Sequence, residues 1–75
     1  MRMVLVEWTD SCSDGGWLPS DTDLSVSQCV TTGFLQKDKP DSIVVAQNKS
    51  SSGRYSDRIA IPKGCIKRMR TLKVV

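Results

Sequence analysis

The fold is decided by residues 59–69, which read Ile-Ala-Ile-Pro-Lys-Gly-Cys-Ile-Lys-Arg-Met. Ile59 and Ile61 share one face of a short strand. Pro62 ends that strand because proline has no N–H to donate to a β-ladder. Residues 63–65, Lys-Gly-Cys, leave room for a single tight turn, which we predict to be 3₁₀, and a second strand follows. Two strands joined by so short a turn predict the closure of a small β-barrel.

Apolar and β-branched residues that alternate with period two indicate strands elsewhere in the chain. The pattern predicts strands at residues 3–8, 26–37, 42–48, 54–62 and 66–75. Gly33, inside the second of these, indicates a bulge or a bend. A helix over residues 64–73 is the alternative for the last segment, because Ile66, Met69 and Lys73 lie at i, i+3 and i+7. We prefer the strand, given its β neighbours.

A long stretch rich in Ser, Asp, Gly and Pro, residues 9–25, separates the first two predicted strands. Asp14-Gly15-Gly16 and Leu18-Pro19-Ser20-Asp21 are turn signals. Trp17 is a large apolar side chain in the middle of this stretch and needs something to pack on. We therefore predict an irregular hairpin that folds back on the barrel, with Trp17 as the plug that pins it. Stacking of Trp17 on a base or ring is the alternative.

The predicted order of elements resembles that of the SH3-like small barrel, in which a long first loop and a 3₁₀ turn before the last strand are typical. The resemblance is one of topology and covers the whole chain. It implies an all-β fold, a five-stranded barrel formed by a single domain of residues 1–75. The aromatic cluster and ALYDY-type motif of peptide-binding SH3 domains are missing from the sequence. Recognition of proline-rich ligands is therefore not implied.

A chain of 75 residues makes one small domain with a marginal core. Its three cysteines, Cys12, Cys29 and Cys65, are odd in number and widely spaced, which favours a reduced, cytosolic setting. The chain has no histidine and no paired cysteines, so we predict no metal and no cofactor. No window is apolar enough to span a membrane, and a membrane partner is not predicted. Since small domains without disulfides or metals often gain stability by self-association, we expect a homo-oligomer.

Charge is divided unevenly along the chain. Residues 1–48 carry three basic and seven acidic side chains, a net charge of −4, whereas residues 49–75 carry eight basic and one acidic, a net charge of +7. Guanidinium groups fork onto phosphate oxygens, and lysine adds a point charge. The predicted ligand-binding residues are therefore Arg54, Arg58, Lys63, Arg68 and Arg70, with Ser52 and Trp17 as further contacts. The alternative is a solvated basic surface that keeps the protein soluble.

Catalysis is poorly supported by this sequence, and we predict that the protein is not an enzyme. Without histidine the usual general base near neutral pH is missing. A cysteine nucleophile would need another activating group, and Lys63 is a cation close to Cys65 in sequence. We interpret Cys65 as a small buried apolar residue after a turn, and Cys29 as its equivalent in a strand.

Three segments, Ser13-Asp14-Gly15-Gly16-Trp17, Val44-Val45-Ala46-Gln47 and residues 59–66, resemble a group of small phage- and prophage-encoded proteins. The resemblance implies a viral origin and a site of action in the cytoplasm of an infected bacterium, and it brings no catalytic residues. The first hypothesis is a binding protein that counters host defence, in its sharpest form an oligomeric sponge for an anionic nucleotide signal. The alternatives are a nucleic-acid-binding small barrel, or a virion or host-protein interaction module that uses surface residues such as Met3 and Leu5.

Overall fold

Five antiparallel strands form one sheet in the computed structural model, which describes residues 2–13 and 15–75. The strands are β1 (Met3–Asp10), β2 (Ser27–Asp38), β3 (Ser42–Lys49), β4 (Tyr55–Pro62) and β5 (Ile66–Leu72), and a 3₁₀ turn (Lys63–Cys65) joins β4 to β5. The order in the sheet is β4-β3-β2-β1-β5. The predicted all-β class, the five strands and the 3₁₀ turn are confirmed, and the helical alternative for residues 64–73 is wrong. The turn predicted at Asp14 lies outside the described residues.

The core lies on one face of this sheet. Five side chains are fully buried there and form one cluster: Val4, Val6, Ile43, Val45 and Ile61. Five partly buried side chains pack against the cluster: Trp8, Leu35, Ile59, Ile66 and Met69. The indole of Trp8 also donates a hydrogen bond from Nε1 to Thr31 Oγ1, at 2.9 Å. All five strands contribute to this core.

The sheet is strongly curled, because its two edge strands are consecutive in the chain. In a flat sheet four strand spacings, about 19 Å, would separate β4 from β5. The four peptide units from Pro62 to Ile66 span at most about 15 Å, and a 3₁₀ turn is shorter still. The 3₁₀ turn also contacts both β1 and β3. In the described chain no ladder pairs β4 with β5, so the edges approach each other without closing the predicted barrel.

A β-bulge explains the spacing that suggested a helix near the C-terminus. Glu7 pairs with Arg68, but the next residue, Trp8, pairs with Ile66, so Lys67 is an extra residue in β5. The bulge brings Ile66 and Met69, three positions apart, onto the same face of the strand. Their i, i+3 spacing is therefore a property of an irregular strand.

Gly33 marks a close approach between two backbones. It pairs in register with Val4, and a Cβ atom at this position would lie 2.5 Å from the carbonyl oxygen of Ala46 on β3. The bulge that the sequence suggested at Gly33 lies further along β2, where the register with β3 shifts between Leu35 and Lys37. Only glycine leaves room for the main chain of β3 at this point.

Asp57, in the middle of β4, adopts the left-handed conformation with φ of 52°. Its carboxylate accepts a hydrogen bond from Asn48 Nδ2, at 3.1 Å. We expect the Asp57→Gly variant to be more stable than Asp57→Ala by about 1 kcal/mol, because both lose this hydrogen bond but only alanine has a Cβ that crowds the left-handed backbone. Urea denaturation of the two variants measures the difference. If the Asp57→Ala variant were as stable as Asp57→Gly, the left-handed conformation of residue 57 would be contradicted.

Between β1 and β2 the chain forms a projecting segment, which we call the arm (residues 11–13 and 15–26). The molecule measures 51 × 26 × 23 Å and its radius of gyration is 15.7 Å, whereas a compact domain of this length has about 11 Å. Trp17 is fully exposed. The prediction that this stretch folds back on the sheet, with Trp17 as a plug, is wrong. Trp17 belongs neither to the core cluster nor to the partly buried side chains that pack against it.

Candidate anion-binding site

Three cations surround a concavity on the outer face of the sheet, the face opposite the core. They are Lys37 at the end of β2, Lys39 in the following turn and Arg58 on β4. Val44 and Ala60, which pair directly across β3 and β4, form an apolar floor between them. The concavity measures about 400 Å³, and among the described residues no acidic side chain lines it.

The bulge in β2 brings Lys37 to this face. Leu35 pairs with the buried Val45, and strand periodicity alone would place Lys37 on the same core face. Because the register shifts between them, Lys37 pairs instead with Val44 and its side chain lies on the outer face. The skipped residue, Gln36, accepts a hydrogen bond at Oε1 from Arg58 Nη1, at 3.3 Å. The bulge in β2 thus places Lys37 on the outer face, and its extra residue, Gln36, orients Arg58.

Lys63 lies outside the concavity and forms an ion pair with Asp38. Its Nζ lies 2.7 Å from a carboxylate oxygen of Asp38, and both side chains are partly exposed. The hydrogen bond and the positive charge of Lys63 hold the pKa of Asp38 below its usual value. The backbone N–H of Lys63 donates to the carbonyl of Asp41, at 2.8 Å. Lys63 therefore fastens the 3₁₀ turn to the connection between β2 and β3.

The serine-rich connection between β3 and β4 uses its hydrogen-bond donors internally. The backbone N–H of Gly53 donates to the carbonyl of Ser50, and the backbone N–H of Arg54 donates to Ser50 Oγ, both at 3.0 Å. The hydroxyls of Ser50 and Ser52 share a hydrogen bond of 2.9 Å. This turn lies at the end of β3 opposite to Val44. Ser52 and Arg54 are thus separated from the three cations of the concavity.

The remaining predicted residues also lie elsewhere. Arg68 and Arg70 are on β5, at the other edge of the sheet, and Arg68 Nε lies 3.5 Å from a carboxylate oxygen of Glu7. Trp17 is on the arm, beyond the end of β2 opposite to Lys37. Of the seven residues predicted to bind a ligand, the structure places Arg58 in the concavity and distributes the other six over four other regions.

Sequence reasoning missed Lys37 and Lys39 as site residues. Both lie in the half of the chain with a net negative charge, and Asp38 stands between them. The register shift that places Lys37, and not Asp38, on the outer face depends on pairing with β3, so no local pattern reveals it. A weak signal is present in the sequence, because Lys37 and Lys39 lie at the start of a tight turn that leads into an apolar strand.

The cysteines do not line this concavity. Cys12 is exposed on the arm, and Cys29 on β2 and Cys65 in the 3₁₀ turn are partly buried, all three as free thiols. The burial predicted for Cys29 and Cys65 is therefore partial. Within residues 2–13 and 15–75, no three Cys, Asp or Glu side chains group in a way that could hold a metal ion. In the same described ranges, no helix is long and apolar enough to cross a membrane.

Comparisons with known proteins find no family model, no curated protein and no solved structure that matches this chain. A functional assignment therefore rests on the three cations of the concavity and the apolar floor between them.

Proposed function

We propose that this chain is a non-enzymatic binding protein that takes up a small anionic ligand, best matched by a nucleotide, in the concavity of Lys37, Lys39 and Arg58. The observation that carries the proposal is the convergence of three cations around an apolar floor. Phosphate oxygens accept forked hydrogen bonds from a guanidinium and charge-assisted bonds from ammonium groups. A base or sugar would lie on Val44 and Ala60. The volume of about 400 Å³ falls in the range of small-molecule sites.

The biological role that fits this binding is the capture of a nucleotide signal in the cytoplasm of an infected bacterium, which would counter host defence. It is supported by the resemblance of residues 13–17, 44–47 and 59–66 to small phage-encoded proteins. Self-association would present several concavities on one particle. Such an oligomer would sequester the nucleotide without converting it chemically.

The fold that best accommodates this role is an SH3-like small barrel. The order β4-β3-β2-β1-β5, the long first connection and the 3₁₀ turn between the two edge strands support it. A core drawn from all five strands supports it as well. In this arrangement the concavity lies on the outside of the curled sheet, where it is open to a ligand.

Calorimetry with a panel of cyclic mononucleotides, cyclic dinucleotides and ADP-ribose tests the site. We expect at least one member to bind the full chain, and we expect Arg58→Glu to raise its Kd by at least about tenfold. A hydrogen bond to a charged group contributes about 1.5–3 kcal/mol, and the new carboxylate would repel a phosphate. Arg58 is exposed, so its replacement should leave the melting temperature nearly unchanged.

Lys49→Glu is the matched control, because it makes the same change in net charge at the far end of β3. Its Kd should stay within about twofold of the wild-type value, since long-range effects of exposed charges are screened by salt. An equal loss of nucleotide affinity in both variants would contradict the proposed site. So would the absence of binding by every member of the panel. A single-stranded oligonucleotide that binds more tightly than every nucleotide, with a steep salt dependence, would favour the nucleic-acid alternative.

A further inference from the structure

The arm carries apolar side chains that have no role in the core. Trp17 is fully exposed, and about half of each of three others is exposed: Leu18, Leu24 and Val26. Trp17 alone presents roughly 250 Å² of surface. Single exposed apolar residues are ordinary, but a cluster of this kind on a projecting segment marks an interaction surface.

The charge of the arm restricts what can cover it. No lysine or arginine occurs between Arg2 and Lys37, and the arm contains Asp21 and Asp23 shortly after Trp17. A nucleic acid or an anionic membrane surface would be repelled by these carboxylates. A basic protein surface would be attracted. This chain has one on its edge strand β5, which carries Lys67, Arg68 and Arg70.

A groove lies at the base of the arm. It runs between the arm and the start of β5, and it measures about 440 Å³. Val26, Cys65 and Ile66 provide apolar walls, and Lys67 also lines the groove. A lysine ammonium over an indole face makes a favourable cation–π contact. Asp10, on the same lining, offers an acceptor for an indole N–H.

We propose that the arm is a dimerisation element, in which Trp17 of one copy docks into the groove at the base of the arm of a second copy. The tip of each arm then meets the base of the other, so a twofold axis repeats the same contact twice. Asp21 and Asp23 approach the basic start of β5 in the partner. Full exposure of Trp17 within one chain, and charges of opposite sign on the two surfaces, both fit this occupant.

Sedimentation of the full chain over a range from micromolar to millimolar concentration tests this proposal. We expect a dimer whose dissociation constant rises at least about 30-fold in Trp17→Ser, because a buried tryptophan at the centre of an interface is a typical hot spot. Trp17→Phe, which keeps an aromatic ring, should retain most of the association. Lys67→Glu should weaken the dimer and make the remaining association less sensitive to salt.

Two control variants separate this contact from general effects. Val30→Ser removes an exposed apolar side chain from the sheet, and Lys49→Glu reverses an exposed charge far from β5. Both should dimerise as the wild type does, and circular dichroism should show that Trp17→Ser keeps its sheet. A wild-type chain that stays monomeric at every concentration, or a dimer that Trp17→Ser leaves intact, would overturn the proposal. Arg58→Glu should dimerise normally, so loss of ligand binding is distinguishable from loss of the dimer.

Discussion

Replacement of Ile61 by alanine is expected to lower the free energy of unfolding by about 2 to 5 kcal/mol. Ile61 is fully buried in one cluster with Val4 of β1 and Val45 of β3. The substitution removes apolar contacts and leaves a cavity that neighbouring strands of a curled sheet fill only in part. Small domains have total stabilities of about 5 to 15 kcal/mol, so this loss would consume a large share of the total.

Chemical denaturation of the full chain measures this cost, and Ile59→Ala provides the matched control. Ile59 lies two residues earlier on the same face of β4 but is only partly buried. The same change there should cost about half as much, because less apolar surface is removed from the core. Equal costs at the two positions would contradict the burial of Ile61 against β1. An unchanged melting temperature for Ile61→Ala would contradict the inward register of β4.

The strands were predictable because their signal is local. The four consecutive apolar residues from Ile43 to Ala46 indicate a strand in the interior of the sheet, and all four are buried. β3 is also paired on both sides, by β2 and β4. Pro62 and the three residues after it predict a strand end and a 3₁₀ turn, and both are observed. Proline and β-branched residues restrict their own backbone, so such elements need no knowledge of distant partners.

The candidate site was not predictable in the same way, because a register shift decides it. The shift between Leu35 and Lys37 moves Lys37 to the outer face. Which residue a bulge skips depends on the partner strand, and the sequence of one strand does not reveal it. A prediction based on charge along the chain selected Arg54 and Arg68, which lie on other parts of the sheet. The register of the strands therefore decides which charged side chains lie together on the folded surface.

The arm shows a second limit of local reasoning. A tryptophan in a long polar stretch predicts packing within the same chain, since exposed tryptophan is uncommon. The structure leaves Trp17 fully exposed, and its side chain does not pack against the core cluster. Apolar content alone does not show whether a residue packs within one chain or between two.

Replacement of Gly33 by valine is expected to abolish cooperative folding, and Gly33→Ala to cost about 3 kcal/mol, at the upper end of the usual cost of overpacking. A Cβ at this position would lie 2.5 Å from the carbonyl oxygen of Ala46 and 2.9 Å from Cγ1 of Val45. The first of these atoms belongs to the main chain of β3, which is held by ladders on both sides. The second belongs to a fully buried side chain. Neither can withdraw without separating β2 from β3 or opening the core.

Gly64→Ala is the control for this prediction, since a Cβ there meets no atom within 4 Å. It should leave stability unchanged or raise it by about 0.4–1 kcal/mol, because alanine reduces the conformational freedom of the unfolded chain. Thermal and urea denaturation of the two alanine variants measure the difference directly. Hydrogen exchange should also show faster exchange in β2 and β3 for Gly33→Ala, because the crowding lies between these two strands. A Gly33→Ala variant as stable as Gly64→Ala would mean that β2 and β3 are further apart than the structure places them.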